Sequence, residues 1–321
     1  MTYSFCLCTR NRDSIVARNV TRLIRHLQKS ASPGNYEIVV INNASTDATE
    51  KEIKSIASLY PLVSVRYGYE KNRGISFARN AAIRLSRGKL LVFLDDDMYV
   101  TGNWYRHIQR AVHTYPDAVI IGGKTILDRP LPSWRWIKSL DFVENYLGEI
   151  DNGNRPQKLK SGSLLPLPHI VRRDCFTTIG LYNTRFGNAQ GIFQVPGSED
   201  VEFITRALDH KLLVMYCPTI VTMHELLPYK LTKHYFRQQY YEEGKELSRF
   251  YFYYRRNKFW LDLKVLSKDA LKTVLRMIKG LLIGRPASFH REVQMFFWWG
   301  YVLSGLVLLI PSLRKNAVDR L

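Results

Sequence analysis

Along the first hundred residues, short apolar runs alternate with stretches whose apolar residues recur every three to four positions. Tyr3 to Thr9 is such a run and reads as a strand, while Ser14 to Lys29 has the amphipathic spacing of a helix. A β-branched run fills Glu37 to Asn43, and Ser45-Thr46-Asp47 after it has the composition of a helix start. Val63 to Tyr69 is a third predicted strand. Ser76 to Ser86 is a predicted helix with Gly88 just past its end, and Leu90 to Leu94 a fourth strand. Strands alternating with helices predict an α/β fold with a mostly parallel sheet. From about Leu127 to Leu167 the periodicity fails. Prolines, glycines and the aromatics Trp134, Trp136 and Tyr146 predict long loops there, and loops of that length usually serve function. Regular structure resumes near Ile170. Ser198 is a predicted N-cap for a helix from Glu199 to Leu208, and Leu212 to Cys217 reads as a strand.

After about Tyr229 the pattern changes character. Residues 231–321 hold 17 Lys/Arg against 7 Asp/Glu, and aromatics run into bases in Phe250-Tyr251-Phe252-Tyr253-Tyr254-Arg255-Arg256. Val293 to Leu313 carries no charge and is flanked by Arg291, Arg314 and Lys315. That length is enough to span a membrane, and such flanks equally suit a helix lying in the interface. The tail therefore has three readings. It docks on anionic lipid with Phe296, Phe297, Trp298 and Trp299 at the interface, it packs structurally on the protein or another subunit, or it binds nucleic acid. The first is the expectation, and no nucleic-acid partner is expected.

Over all 321 residues, Lys+Arg 47 against Asp+Glu 28 gives +19, a balance that favours polyanionic partners. The four cysteines, Cys6, Cys8, Cys175 and Cys217, have no zinc-type spacing and predict a reducing compartment without disulfides. Met1 leads directly into a strand-like run, which predicts a cytoplasmic chain.

The triplet Asp95-Asp96-Asp97 follows the fourth strand, where open α/β sheets bind ligands. Adjacent carboxylates repel one another unless a cation or solvent offsets their charge, and oxygen ligands suit Mg²⁺ or Mn²⁺ shared with substrate phosphates. An isolated triplet is equally a solvated acidic turn. Its surroundings change that balance. Cys8-Thr9-Arg10-Asn11-Arg12 ends the first strand, and Ile41-Asn42-Asn43-Ala44-Ser45-Thr46-Asp47 ends the second. Asn72-Arg73-Gly74, Ala78-Arg79-Asn80 and Leu94-Asp95-Asp96-Asp97 follow. Gly197-Ser198-Glu199-Asp200-Val201-Glu202-Phe203 with Arg206 comes last.

This ordered set resembles glycosyltransferase family 2, with the GT-A fold, over roughly residues 2–228. The resemblance implies a Rossmann-like, mostly parallel sheet flanked by helices, with residues 229–321 a basic, membrane-associating helical region. It implies a nucleotide-sugar donor, with a UDP-sugar favoured, a divalent cation (Mn²⁺ or Mg²⁺), and transfer that inverts the sugar. Thr9 and Asn43 match positions that contact the nucleobase, and Asp95 the acid that approaches the ribose. Asp96 is the centre of the Asp-x-Asp pattern, Asp97 its metal ligand, and Asp200 the catalytic base. His224 falls where many members place a further metal ligand. Arg79 would reach the diphosphate or only cover the sheet.

Each position also has a bland reading. Glu199 and Asp200 suit a helix first turn, Thr9 and Asn43 suit turns, and a lone His is often structural. Two departures stand out. Asn42-Asn43 replaces the acids expected after the second strand, and Pro166-Leu167-Pro168-His169 replaces a Gly/Asn-rich stretch expected before Val171. The implied product is a polysaccharide or glycoconjugate, made on a glycan or lipid-linked acceptor at the cytoplasmic membrane face by an enzyme for which an oligomer is an allowed state. The rivals are a nucleotidyltransferase and a non-catalytic nucleic-acid- or membrane-binding protein on a degenerate GT-A fold.

Overall fold

The structure is a computed structural model, and it describes residues 2–141, 143–160, 165–187, 199–254 and 288–310. The predicted Ser198 cap, Arg255-Arg256 and the end of the uncharged segment lie outside the described residues.

The first half follows the predicted alternation: β1 (Tyr3–Thr9), α1 (Asp13–Ser30), β2 (Tyr36–Asn43), α2 (Thr49–Leu59), β3 (Val65–Glu70), α3 (Ile75–Leu85) and β4 (Leu90–Asp95). The second helix starts later than Ser45-Thr46-Asp47 suggests. The Asp47 carboxylate accepts from the Thr49 amide at 3.1 Å and from its hydroxyl at 2.5 Å, so Asp47 closes a turn ahead of the helix. Next come β5 (Met98–Val100), α4 (Trp104–Thr114) and β6 (Ala118–Leu127). Between Leu127 and Leu167 the described residues hold only α5 (Val143–Tyr146) and β7 (Gln157–Lys158), in keeping with the predicted loops. Then follow β8 (His169–Arg172), α6 (Cys175–Ile179), α7 (Glu199–Asp209) and β9 (Leu213–His224). β9 runs well past Cys217. Gly122 pairs with Tyr216 and Lys124 with Val221, so Pro218 falls in an irregularity where the ladder asks for no amide.

The sheet order is β3-β2-β1-β4-β8-β6-β9-β5, with β7 on β9. It is parallel through its first four strands and between β6 and β9, whereas β8, β5 and β7 run antiparallel to their neighbours. All eight residues of β2 are buried, and each fully buried Val or Ile there contributes roughly 1.5–3 kcal/mol. The parallel register sets Thr9 beside Asn42 and Cys8 beside Asp95, so the ends of β1, β2 and β4 open on one edge. β5 then turns back, and Met98 pairs with His224. The triplet is thereby brought to the last residue of β9.

The chain divides into two compact units. The elements above, apart from α5, belong to the first. The second holds the described parts of 130–147, 185–198 and 227–321, including α8 (Lys233–Tyr254) and α9 (Phe289–Leu309). Arg237 pairs with Glu292 near the helix starts, and Phe252 packs on Leu308 near their ends, so α8 and α9 run parallel. Their backbones nearly touch. A Cβ on Gly244 would stand 2.0 Å from the Phe297 carbonyl oxygen, and one on Gly300 2.0 Å from that of Tyr241. Trp299, Leu303, Leu306 and Ile310, at four-three-four spacing, leave one apolar face of α9 exposed.

Candidate active site

Every sequence-predicted site residue lies in the first unit, and all but Asn43 fall in two groups joined by Arg79. In the first group, Thr9 at the end of β1 donates its hydroxyl to Asp96 Oδ2 at 2.6 Å. Arg12, just before α1, reaches Asp96 at 2.8 Å and Asp97 at 3.3 Å. Asn19, nearly two turns into α1, donates to the Asp96 carbonyl at 2.9 Å. Asp96 is thus a buried brace, while Asp95 keeps the more open carboxylate, 40% exposed. Burial pushes the Asp96 carboxyl up against the pull of Arg12, and the neighbouring Asp97 adds to the rise. Burial also raises Asp95, although Arg79 opposes it.

Asp97 Oδ1 stands 3.1 Å from His224 Nε2. Ligand atoms of Asp95, Asp97 and His224 all lie within 4.8 Å of one another. Two carboxylates and an imidazole at that separation fit a divalent cation such as Mn²⁺ or Mg²⁺, and the mutual repulsion of the carboxylates is what a cation would offset. The surroundings hold His224 in place. Gly148, at φ +93°, is where a Cβ would come within 2.5 Å of the imidazole. The Glu225 amide donates to the Asp97 carbonyl at 2.9 Å. The Glu225 carboxylate is gripped by Arg18 and by Arg22, the latter at 2.7 Å.

The second group starts from α7. Arg79 on α3 is 4% exposed and pairs with Glu199 at 2.8 Å and with Asp200 more closely still, while its other nitrogen lies 3.8 Å from Asp95. Burial works to raise the Asp200 carboxyl, but Arg79 and then His169 outweigh it and hold it well below the usual carboxylate range. Burial, reinforced by Asp200, pushes Glu199 the other way despite Arg79. His169 on β8 places Nδ1 3.5 Å from Asp200 and Nε2 2.9 Å from the Leu165 carbonyl. Asp200 remains a quarter exposed, so one side of an otherwise enclosed acid faces out.

Asn43 does not join either group. Its amide donates to the Asn72 carbonyl at 2.6 Å and its oxygen accepts from the Gly74 amide at 2.8 Å, which ties down the loop after β3. Sequence reasoning missed Asn19, Gly148, His169 and Glu225 as parts of the site. Glu225 follows His224 directly and His169 falls in the departing stretch, so both were visible in place but not in role. Nothing in the sequence pointed to Gly148.

The sequence profile of Glycosyl transferase family 2 matches residues 4–177, over half of the chain. A succinoglycan biosynthesis protein of Rhizobium meliloti is 27% identical over 172 residues, 52% of this chain and 50% of that protein. A glucosyl-dolichyl phosphate glucuronosyltransferase of Haloferax volcanii is 25% identical over 160 residues, covering 47% of each. These matches span half or less of the relatives' length. Among solved structures, a mannosyltransferase of Pyrobaculum calidifontis in complex with GDP-mannose and Mn²⁺ superposes with TM-score 0.60 at 15% identity, over 95% of this chain and 86% of that one. That likeness shows the GT-A architecture. With the profile matching from β1 to α6, the chain belongs to glycosyltransferase family 2.

Proposed function

We propose that the protein is a metal-dependent, inverting glycosyltransferase that moves a sugar from a nucleoside-diphosphate donor to a hydroxyl of a glycan or lipid-linked acceptor. The observation that carries this reading is the convergence of Asp95, Asp97 and His224 within 4.8 Å, joined through Arg79 to a partly open Asp200. A divalent cation bound there supplies Lewis-acid stabilisation of the charge that develops on the departing diphosphate. Asp97 and His224 would hold it, with Asp95 completing the ligand set or turning to the donor ribose. Thr9 and Asp96 fix the floor of the donor site, and Asn43 holds the loop beside it.

Asp200 takes the proton of the acceptor hydroxyl. In the structure Arg79 makes this carboxylate a weak base. A donor diphosphate that drew the guanidinium toward itself would restore its basicity, so donor binding and base activation are coupled through one side chain. Attack from the side opposite the diphosphate inverts the anomeric carbon. The donor is a nucleotide sugar in this reading, in line with the GDP-mannose of the Pyrobaculum structure. A UDP-sugar remains the expectation from the resemblance.

Relatives named for succinoglycan and minor teichoic acid biosynthesis support a role in cell-surface polymer assembly. The exposed apolar face of α9 and the basic tail support docking at the cytoplasmic face of an anionic membrane. The test of the chemistry is Asp200→Asn. It should keep its fold and bind donor while transfer falls at least ~100-fold, in the range expected for loss of a general base. Wild-type turnover by that variant would remove Asp200 from the mechanism.

A further inference from the structure

The aromatic loop that the sequence marks out before α5 has no part in the chemistry above. In the second unit, Trp134 and Trp136 stack with ring centroids 5.8 Å apart and planes 26° from parallel. Trp136 is clamped edge-on by Phe236 at 5.8 Å and by Phe289 at 5.3 Å. Trp134 lies over it and is 47% exposed. Together with Arg135, Leu231, Thr232 and Lys233, the two indoles line an open groove of about 460 Å³. Arg135 is exposed and makes no hydrogen bond or ion pair among the described residues. Lys233 is also exposed, with its ammonium 5.3 Å from the centre of the Phe289 ring. Among the described residues, no acid lines the groove.

These features select a ligand. A flat indole face is electron-rich and attracts the weakly positive C–H bonds on one side of a pyranose ring. Fixing Trp136 by its neighbours leaves little side-chain freedom to lose on binding. A guanidinium and an ammonium lining one groove favour a carboxylate or phosphate on the same molecule, and the fork of Arg135 suits a planar carboxylate bidentately. A lipid surface is the less suitable occupant. The apolar face that suits it is on α9, whereas this shallow groove is lined by two cations, Arg135 and Lys233, beside its two indoles.

The geometry points to a glycan-binding subsite formed by Trp134, Arg135, Trp136 and Lys233 that takes an anionic sugar unit of the growing acceptor. The subsite rests on the transferase reading for its role, but its existence is independent of catalysis. Holding the acceptor chain here raises its concentration at the enzyme without any new contact to the reacting hydroxyl.

The full-length protein is titrated with tetragalacturonate, and tryptophan fluorescence is recorded. Maltotetraose and anionic phosphatidylglycerol vesicles serve as comparison probes, and calorimetry with nucleoside diphosphates runs on the same samples. The expected result is saturable binding of tetragalacturonate that weakens at least ten-fold in both Trp134→Ala and Arg135→Glu. Maltotetraose should bind several-fold more weakly. Both substitutions are at exposed positions, and unchanged nucleotide binding certifies the fold. No binding of the uronate, binding that neither substitution alters, or a spectral change with vesicles alone would overturn the subsite. Loss of nucleotide binding in the wild type, with uronate binding intact, would instead count against the transferase reading.

Discussion

At the scale of single residues, the site depends on a few side chains that stay put because others leave them no choice. His224 is the clearest case. Its imidazole lies against a glycine at positive φ, and the residue after it is tied to Asp97 and to two arginines of α1. Gly148→Ala would add a methyl 2.5 Å from the ring in a backbone conformation that side chains rarely adopt. The expected cost is roughly 1–3 kcal/mol of stability together with weaker Mn²⁺ binding. Denaturation and a metal titration on one preparation would measure both, and a variant with unchanged metal affinity would show that His224 is not held from that side. Asp95, Asp97 and Asp200 could be nominated from the sequence because their types and order match the pattern of the family. Gly148 and the partners of Glu225 were not, since they approach from loops and helices distant in the chain, and no local pattern encodes such contacts.

At the scale of elements, the strand–helix alternation was readable because each apolar run is short and bounded, and β1, β2 and β4 are buried on both faces. What periodicity could not supply was the way β5 and β8 reverse the sheet, because pairing direction follows from loop paths. That reversal is what places His224 beside Asp97. The paired helices of the second unit carry a separate consequence. Glu246 on α8 is buried, and burial outweighs Arg249 and Lys245 to push its carboxyl up to about 7. In the unfolded chain this group loses its proton at a normal, lower pH. Between that point and about pH 7 the native state binds more protons than the unfolded one, so stability falls as pH rises through the window and levels off above it. Glu246→Gln removes the ionisation. The variant should lose this slope and exceed the wild type above neutrality by an amount on the order of 3 kcal/mol at most. Urea unfolding at a series of pH values checks it, and a slope that persists in the variant would assign the titration to another group.

At the scale of the whole molecule, two properties read from composition bear on where the protein would work: a net charge of +19 and an apolar helix near the C-terminus. In the proposed docking, charge would draw the protein to an anionic surface, and the α9 face would supply apolar area once there. Vesicles rich in phosphatidylglycerol should bind the full chain at low salt and release much of it as ionic strength rises, while neutral vesicles bind it weakly. Co-sedimentation would decide, and equal indifference to both lipids would remove the docking reading. Whether the molecule transfers sugar through a bound cation is settled more directly. A panel of nucleotide sugars is incubated with the protein and Mn²⁺, without acceptor, and release of nucleoside diphosphate is followed for the wild type and for Asp97→Ala. The expected result is slow, Mn²⁺-dependent release from one donor in the wild type and none in the variant, which identifies the sugar as well as the metal ligand. Equal release with and without Mn²⁺, or an Asp97→Ala protein as active as the wild type, would contradict the metal-dependent site.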